Sequence, residues 1–269
     1  MKVTAHAEGS SRVDEHIREA SKDLTNNKNR FMSWRDLIIT PIVQSIIIIL
    51  SLLLTWQCSQ IIQISLFAMT VIFCFSLFTL TVCVLNIIKS LVRFSPGIFT
   101  YDLHPWDCYF FNLYAYLGIT NLHLFYVNGL ISPVLKKVFY AFLGAKFGKG
   151  IIPIGGIIFD PYMVTIEENA FIGVETLLLP HLLTLPNVLI LGKITVKKGA
   201  LIGARSLILP GVTIGENALV NAGSVVPMGT TIGDNEVWGG NPVKKLKDLD
   251  PAGPQTHAAP YREGGISVC

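Results

Sequence analysis

One histidine, His181, stands in the segment PHLLTLPNVLILG (Pro180–Gly192), inside an otherwise glycine-punctuated region. An imidazole exchanges protons near neutral pH, so it is the side chain best suited to acid–base chemistry there. Two leucines follow this histidine directly, and the adjoining residues supply no carboxylate. The first question is whether the segment is an insertion that contains a histidine or a regular part of a repeat.

The cysteines and the charged residues exclude some kinds of function. The five cysteines form no CxxC pair, and one histidine in the repeat region does not make a zinc site, so no metal is predicted. A net charge of +3 is too small to indicate nucleic-acid binding. A basic group comprising Lys193, Lys197, Lys198 and Arg205 either binds an anion or forms a solvated surface, with Glu175 as a candidate ion-pair partner of Lys193.

A charge-free apolar block of 52 residues separates Asp36 from Lys89. A single helix of that length, at about 1.5 Å per residue, would far exceed a ~30 Å bilayer core. We therefore predict two transmembrane helices, near Leu37–Gln57 and Ile61–Ile88, divided at the polar stretch Thr55–Gln60. Lys and Arg residues flank the outer ends, which places both ends on the cytoplasmic side. A buried helical hairpin in a soluble core is the alternative.

The segment after the apolar block is rich in aromatic residues, which is typical of a position at the membrane interface. Within it, Ser132–Gly144 carries helix signals: Ser132 as N-cap, a proline at the first helical position and a terminal glycine. Leu135, Val138, Phe139 and Phe142 would form one apolar face that meets lipid, another subunit or the following domain.

A hexapeptide repeat occupies the second half of the chain. An aliphatic or aromatic residue recurs at every sixth position, at 196, 202, 208, 214, 220, 226, 232 and 238. Neither a helix nor an ordinary strand has this period. The pattern predicts a solenoid of very short strands, in which three hexapeptides make one triangular coil and residues about 18 apart stack.

The same frame extends backwards from Val196 to Ile154, with Asp160 and Thr184 as the inward positions that are not apolar. It passes through Pro180–Gly192 without a shift, which predicts that this segment is two ordinary hexapeptides and no insertion. His181 would then occupy an outward corner, in a column with Met163, Gly199, Asn217 and Asn235, open to a groove between subunits.

The stretch ALIGARSLILPGVTIGENALVNAGSVVPMGTTIGDNEVWGGNPVKKL (Ala200–Leu246) resembles the left-handed β-helix, hexapeptide-repeat acyltransferase family. Its Gly240–Lys244 resembles the terminal GNPA-type signature of that family, with Val243 where alanine is usual. The implied fold is a membrane α-helical hairpin plus an all-β, left-handed parallel β-helix of about five coils. The expected order is a polar cytoplasmic leader (1–36), two transmembrane helices (37–88), an aromatic juxtamembrane helical segment (89–150), the β-helix acyltransferase domain (151–247) and a flexible tail (248–269).

The resemblance also implies how the protein works. Members form homotrimers, bind acyl-CoA as a co-substrate between subunits and use a histidine as general base, which here is His181. It assigns contacts with CoA phosphates to Lys244 and Lys245, which otherwise form a solvated exit from the domain. Ala222 and Gly223 are small enough for close approach of a pantetheine arm or for coil stacking, and Arg205 is a further candidate CoA contact. The orienting or substrate-contacting partner of His181 is left open, with Glu175 and Asn187 as candidates.

The sequence thus predicts a membrane-bound O- or N-acyltransferase that moves an acyl group, taken as acetyl, from CoA to a sugar, lipid-linked or small-molecule acceptor. Both termini and the β-helix would be cytoplasmic, and membrane lipid would be a partner. A non-catalytic trimeric β-helical membrane scaffold is the alternative function. Carbonic anhydrases built on the same coil need three histidines, whereas these coils supply one.

Overall fold

The computed structural model describes residues 34–61, 65–92, 94–100, 106–126, 132–150, 152–184 and 188–249. The leader before residue 34, the tail after residue 249 and Asn187 lie outside the described residues, so the expectations for them stay predictions.

Two long apolar helices open the described chain, α1 (Trp34–Ile61) and α2 (Leu66–Leu91), and both are long and apolar enough to cross a membrane. The polar stretch predicted to divide them is helical instead. The Thr55 hydroxyl donates to the Ser51 carbonyl at 2.8 Å and the Ser59 hydroxyl donates to the Trp56 carbonyl at 2.7 Å, so these polar groups are satisfied within the helix. Ser65 caps the second helix by accepting from the Ala68 N–H.

A third helix, α3 (Trp106–Tyr126), packs across both apolar helices. Asn121 on α3 joins them, because its side-chain amide exchanges hydrogen bonds with Gln44 at 2.8 and 3.1 Å and donates to the Thr81 hydroxyl at 3.0 Å. Asn121 and Thr81 are buried. The aromatic segment therefore forms part of a three-helix bundle with the two apolar helices.

The predicted helix at Ser132 is confirmed as α4 (Pro133–Phe142), with the Ser132 side chain accepting from the Leu135 N–H. Its expected apolar face divides in two: Phe139 packs on Phe78 of α2, whereas Leu135, Val138 and Phe142 are exposed. The buried face anchors the helices to the β domain. The buried Lys136 ammonium donates to the Gly156 carbonyl at 3.3 Å, and the Tyr140 hydroxyl accepts from the Ile158 N–H at 3.1 Å.

Most of the strands wind into a three-sided β-helix, whereas β1, β7 and β8 form a separate sheet. The strands are β1 (Gly97–Thr100), β2 (Lys146–Phe147), β3 (Ile157–Ile158), β4 (Val164–Ile166), β5 (Phe171–Ile172), β6 (Leu177–Leu178), β7 (His181–Thr184), β8 (Val188–Leu191), β9 (Ile194–Val196), β10 (Leu201–Ile202), β11 (Leu207–Ile208), β12 (Thr213–Ile214), β13 (Leu219–Val220), β14 (Val225–Val226), β15 (Thr231–Ile232), β16 (Glu236–Gly240) and β17 (Val243–Asp248).

The three faces are parallel sheets in the orders β2-β4-β9-β12-β15, β5-β10-β13-β16 and β3-β6-β11-β14. β17 joins the second face antiparallel to β16, beside the Gly240–Lys244 turn. The inward residues predicted from the hexapeptide frame fill the core, among them Ile202, Ile208, Ile214 and Val220, each with no exposed surface. The hexapeptide period therefore predicted the inside of the coil correctly.

The prediction of an unbroken frame through Pro180–Gly192 is wrong. Leu178 pairs with Ile208, 30 positions later, whereas Val196 pairs with Ile214, 18 positions later. Twelve residues, the length of two hexapeptides, are therefore looped out of the coil. Because the insertion is a multiple of the repeat, the hexapeptide count continues across it without any visible shift.

The looped-out residues form an antiparallel hairpin of β7 and β8. β1, from the segment between the apolar helices and α3, pairs antiparallel with β8 and completes a three-stranded sheet. Phe111 of α3, Met163, Leu189 and Leu191 form a small separate core beneath this sheet. The hairpin is thus fixed to the helical part of the protein as well as to the coil.

The predicted corner column is confirmed for Gly199, Asn217 and Asn235 but wrong for Met163 and His181. The left-handed corner positions that stack are Asn169, Gly199, Asn217 and Asn235, with φ values between 53° and 66°. Backbone hydrogen bonds join neighbouring corners, such as Gly199 N–H to the Glu168 carbonyl at 3.0 Å. His181 is absent from this column because it has left the coil.

Candidate active site

His181 forms a side-chain pair with Asp160, which lies 21 positions earlier in the chain. The Nδ1 N–H of His181 donates to the Asp160 Oδ2, which leaves Nε2 as the nitrogen able to accept a proton. The Asp160 side chain is 3% exposed and the imidazole 24% exposed. A carboxylate that orients a partly accessible imidazole is the arrangement required of a general base.

The local backbone conformation places the Asp160 side chain against His181 of the hairpin. Asp160 adopts a left-handed conformation with φ 43°, between β3 and a short 3-10 helix at Pro161–Met163. The neighbouring Phe159 N–H donates to the Leu178 carbonyl at 3.0 Å, which ties this corner to the coil just before the chain leaves it. A strained, buried acidic residue at such a corner is consistent with a functional constraint.

The electrostatics favour a histidine that can become charged. Burial lowers the pKa of His181, but the charge of Asp160 and its hydrogen bond raise the pKa more, so the net pKa lies above its ordinary value. The same carboxylate stabilises the imidazolium that forms when His181 accepts a proton. Burial and the charge of Asp160 together raise the pKa of the nearby Tyr162, which stays a neutral phenol.

Aromatic rings enclose the histidine. Phe111 of α3 lies 5.3 Å from the imidazole, centroid to centroid, in an edge-to-face contact, and Phe159 lies at 6.2 Å. The expected position at an outward corner of the coil is wrong, and Phe111 of α3 covers one side of the imidazole, which stays partly exposed.

A small cavity of about 30 Å³ adjoins the pair. His181 and Asp160 line it on the coil side, and Leu85 of α2, Gly118 of α3 and Leu143 at the end of α4 line it on the helical side. The space beside the histidine is thus shared between the β domain and the helices.

Glu175, one of the two predicted partners of His181, does not lie beside it. Glu175 instead forms an ion pair with Arg205, Nε to Oε2 at 2.6 Å, with both side chains exposed. The expected pairing of Glu175 with Lys193 is therefore replaced by one 30 positions apart, a consequence of the looped-out hairpin. Asn187 lies outside the described residues.

The residues predicted to bind CoA lie elsewhere on the coil. Ala222 and Gly223 are exposed and stack on the corner of Arg205, with the Gly223 N–H donating to the Ala204 carbonyl at 2.8 Å. Lys244 and Lys245 are exposed on β17. The Lys245 ammonium pairs with Glu236 at 2.8 Å and Asp248 at 2.6 Å. Arg205 lies at a coil corner after β10, whereas His181 begins β7 of the hairpin, outside the coil, so the two residues are not neighbours in one column.

Sequence reasoning missed the role of Asp160, although one signal was present. The hexapeptide frame placed Asp160 at an inward position, where a carboxylate needs a partner. That inward position is wrong, because Ile158 pairs with Leu178 in the coil and Asp160 lies two residues beyond it. In the described part of the chain, no group of three or more His, Cys, Asp or Glu side chains converges in the manner of a metal site.

The family described as "Bacterial transferase hexapeptide (six repeats)" matches residues 193–227, which contain strands β9 to β14. The chain carries the bacterial transferase hexapeptide repeat. The resemblance to hexapeptide-repeat acyltransferases is thereby confirmed for the closing coils. No curated protein sequence matches the chain.

Solved structures similar to the chain include acetyltransferases, one of which is described as containing hexapeptide repeats. One from Vibrio cholerae is 25% identical with TM-score 0.36, and the match covers 39% of this chain and 62% of that one. Its complex with acetyl coenzyme A is 23% identical with TM-score 0.37 and coverage of 43% and 78%. A galactoside acetyltransferase in complex with coenzyme A is 21% identical with TM-score 0.43 and coverage of 66% and 98%. The chain thus spans about 62% of the first relative's length.

Proposed function

We propose that this protein is a CoA-dependent acyltransferase in which His181 is the general base and Asp160 orients it. The observation that carries the proposal is the buried carboxylate of Asp160 in contact with Nδ1 of a partly exposed histidine, next to a cavity. The hexapeptide repeat of the closing coils, which is described as that of bacterial transferases, supports the same reaction class.

The proposed reaction needs no covalent intermediate. Nε2 of His181 takes the proton from an acceptor hydroxyl or amine while the acceptor oxygen or nitrogen attacks the thioester carbonyl of acetyl-CoA. The carbon–sulfur bond breaks as the new ester or amide bond forms. The imidazolium, stabilised by Asp160, then returns the proton to the departing thiolate, which leaves as CoA with a free thiol.

We propose that the functional unit is a homotrimer of left-handed β-helices, each of about five coils, with CoA bound between subunits. The dispersed positions of His181, Arg205 and Lys244 support this assembly, because one subunit would supply the base and its neighbour the CoA contacts. Exposed Ala222 and Gly223 leave room for a pantetheine arm at the corner between them.

The proposed location is a membrane that α1 and α2 span as a hairpin, with both termini and the β-helix in the cytoplasm. The apolar helices support the anchoring, and the basic residues that flank their outer ends support the orientation. Trimerisation would then bring six membrane helices together above three β-helices.

The test is an assay of CoA thiol release by the full chain, purified in detergent, with acetyl-CoA and a panel of amine and hydroxyl acceptors. We expect release with at least one acceptor and a loss of about 10²–10⁴-fold in His181→Ala, the range that general-base catalysis contributes. Leu183→Ala is the matched control, because Leu183 is exposed on the same hairpin strand and should retain activity.

Absence of release with every acceptor, together with absence of CoA binding by calorimetry, would overturn the proposal and favour the membrane scaffold. Equal activity of wild type and His181→Ala would leave an acyltransferase that does not use this base, and would also overturn the assignment of His181.

A further inference from the structure

Helix α4 arranges its polar and apolar side chains in the opposite way from a helix on a water-exposed surface. Its buried face includes Lys136, which is 6% exposed. Its outward face carries large apolar side chains that are 47% to 68% exposed, namely Val134, Leu135, Val138 and Phe142. In water, a lysine extends its ammonium into solvent and the apolar face of a helix is buried. The arrangement in α4 therefore indicates that its outward face meets an apolar environment.

Both lysines of α4 bind the open end of the coil. The Lys136 ammonium donates to the Gly156 carbonyl at 3.3 Å. The Lys137 ammonium donates to the carbonyls of Gly148 and Gly150 at 2.9 and 2.6 Å. These carbonyls lie next to β2 and β3, which are the edge strands of two faces of the coil. The cationic side of α4 thus covers the first coil, and the apolar side is left facing outwards.

The same helix contacts a candidate membrane span along its length. Phe139 packs on Phe78 of α2 with ring centroids 5.5 Å apart, and the Asn86 side-chain amide donates to the Phe142 carbonyl at 3.2 Å. Phe78 lies 13 residues before the end of α2 at Leu91, which is about 20 Å along the helix axis at a rise of 1.5 Å per residue. α4 therefore lies alongside the part of α2 that would cross a bilayer.

A lipid bilayer matches the exposed face of α4 in both position and chemistry. None of the exposed side chains of α4 is charged. Ile87, which follows Asn86 on α2, is 56% exposed and Leu91 is 72% exposed, so apolar surface continues from α4 onto the candidate span. Ten helical residues cover about 15 Å, half of a ~30 Å bilayer core, which suits a helix that enters one leaflet.

We propose that the outward face of α4 is a lipid-binding surface, which lies among the acyl chains of the leaflet nearest the β-helix. The Tyr140 hydroxyl accepts from the Ile158 N–H at 3.1 Å, two residues before Asp160. This second attachment to the membrane therefore holds the His181–Asp160 pair close to the bilayer surface. The proposal rests on the membrane location of α1 and α2 and is independent of acyl transfer.

The test places the photoreactive residue benzoylphenylalanine at one leucine at a time in the full chain, reconstituted in phosphatidylcholine nanodiscs. Leu135, 59% exposed, reports on α4, and Leu246, 57% exposed on β17 at the far end of the coil, is the matched control. Leu52, 53% exposed on α1, reports on the membrane span itself. After irradiation, we expect phospholipid adducts in the intact mass of Leu135→benzoylphenylalanine and Leu52→benzoylphenylalanine, and none in Leu246→benzoylphenylalanine.

The other outcomes are distinct. A covalent dimer of the chain in place of the lipid adduct of Leu135→benzoylphenylalanine would assign this face to a second copy, and absence of both products would place it in water. Either result overturns the proposal. Absence of the adduct in Leu52→benzoylphenylalanine as well would overturn the membrane span on which the proposal rests.

A second measurement needs no substitution in α4. The wild-type full chain is reconstituted in vesicles of phosphatidylcholine that carries a diazirine in its acyl chain, and labelled peptides are mapped after irradiation. We expect label within α4 as well as α1 and α2, and none within residues 201–232 of the coil. Label confined to α1 and α2 would overturn the proposal. Neither measurement requires catalysis, so a chain without acyltransferase activity would still give a decisive result.

Discussion

The Gly192 N–H donates a hydrogen bond of 2.8 Å to the Pro180 carbonyl, so the chain leaves and re-enters the coil at a single point. The residues between them form the hairpin that carries His181. The closure explains how twelve residues can protrude while the coils on either side stack directly on one another. The hairpin that carries His181 is therefore a separate unit attached to the coil at Pro180 and Gly192.

The first prediction is that the coil folds without the hairpin. Deleting residues 181–192 should leave a β-helix that still folds, because Pro180 would join Lys193 in the register that Pro210 and Gly211 already show. Acyl transfer should be lost with His181. Circular dichroism and thermal unfolding measure the fold, and CoA release measures activity.

A deletion of the same length inside the coil, residues 201–212, is the control. It also keeps the hexapeptide frame, but it removes two of the three strands of one coil and should abolish folding. If both deletions abolish folding, the coil needs the hairpin in order to fold and the prediction is wrong.

The second prediction is a pH shift. The charge of Asp160 raises the pKa of His181, and a general base acts in its neutral form, so activity should rise with pH through a midpoint above about 6.5. Asp160→Asn removes that charge and should move the midpoint to lower pH. It should also lower the plateau, because the imidazolium is no longer stabilised. The measurement is kcat/KM against pH; an unchanged midpoint with a lower plateau would contradict the electrostatic role of Asp160.

The third prediction concerns the three-helix bundle. Asn121→Ala removes the hydrogen bonds to Gln44 and Thr81, and should lower the free energy of unfolding in detergent by about 1 kcal/mol, a typical net contribution of a hydrogen bond. Thr120→Ala changes an exposed neighbour and serves as control. The prediction is wrong if the two variants unfold alike.

The fourth prediction tests the cationic strand β17. Lys244→Ala or Lys245→Ala should weaken CoA binding by about tenfold, equivalent to ~1.4 kcal/mol, because each removes a charge proposed to contact CoA phosphates. Lys247→Ala, on the same exposed strand, should bind CoA as the wild type does. Calorimetry at two salt concentrations gives the dissociation constants. Equal weakening in all three variants would indicate only a general charge effect.

The hexapeptide period by itself determined which residues lie inside the coil, such as Ile202, Ile208 and Val220, since each strand's inward position depends on its immediate neighbours. Composition likewise determined the two long apolar helices, and Ser132 and Gly144 determined α4. These features depend on short stretches of chain, which is why they can be read from the residues alone.

Only the tertiary structure decided that Pro180–Gly192 is a hairpin. An insertion of two hexapeptides does not disturb a six-residue period, and its partner strand β1 lies about 90 positions away along the chain. The contact between His181 and Asp160 follows from that hairpin and not from any local pattern. The coil could be predicted because its repeat is local, whereas the site could not, because contacts between distant segments place each of its residues.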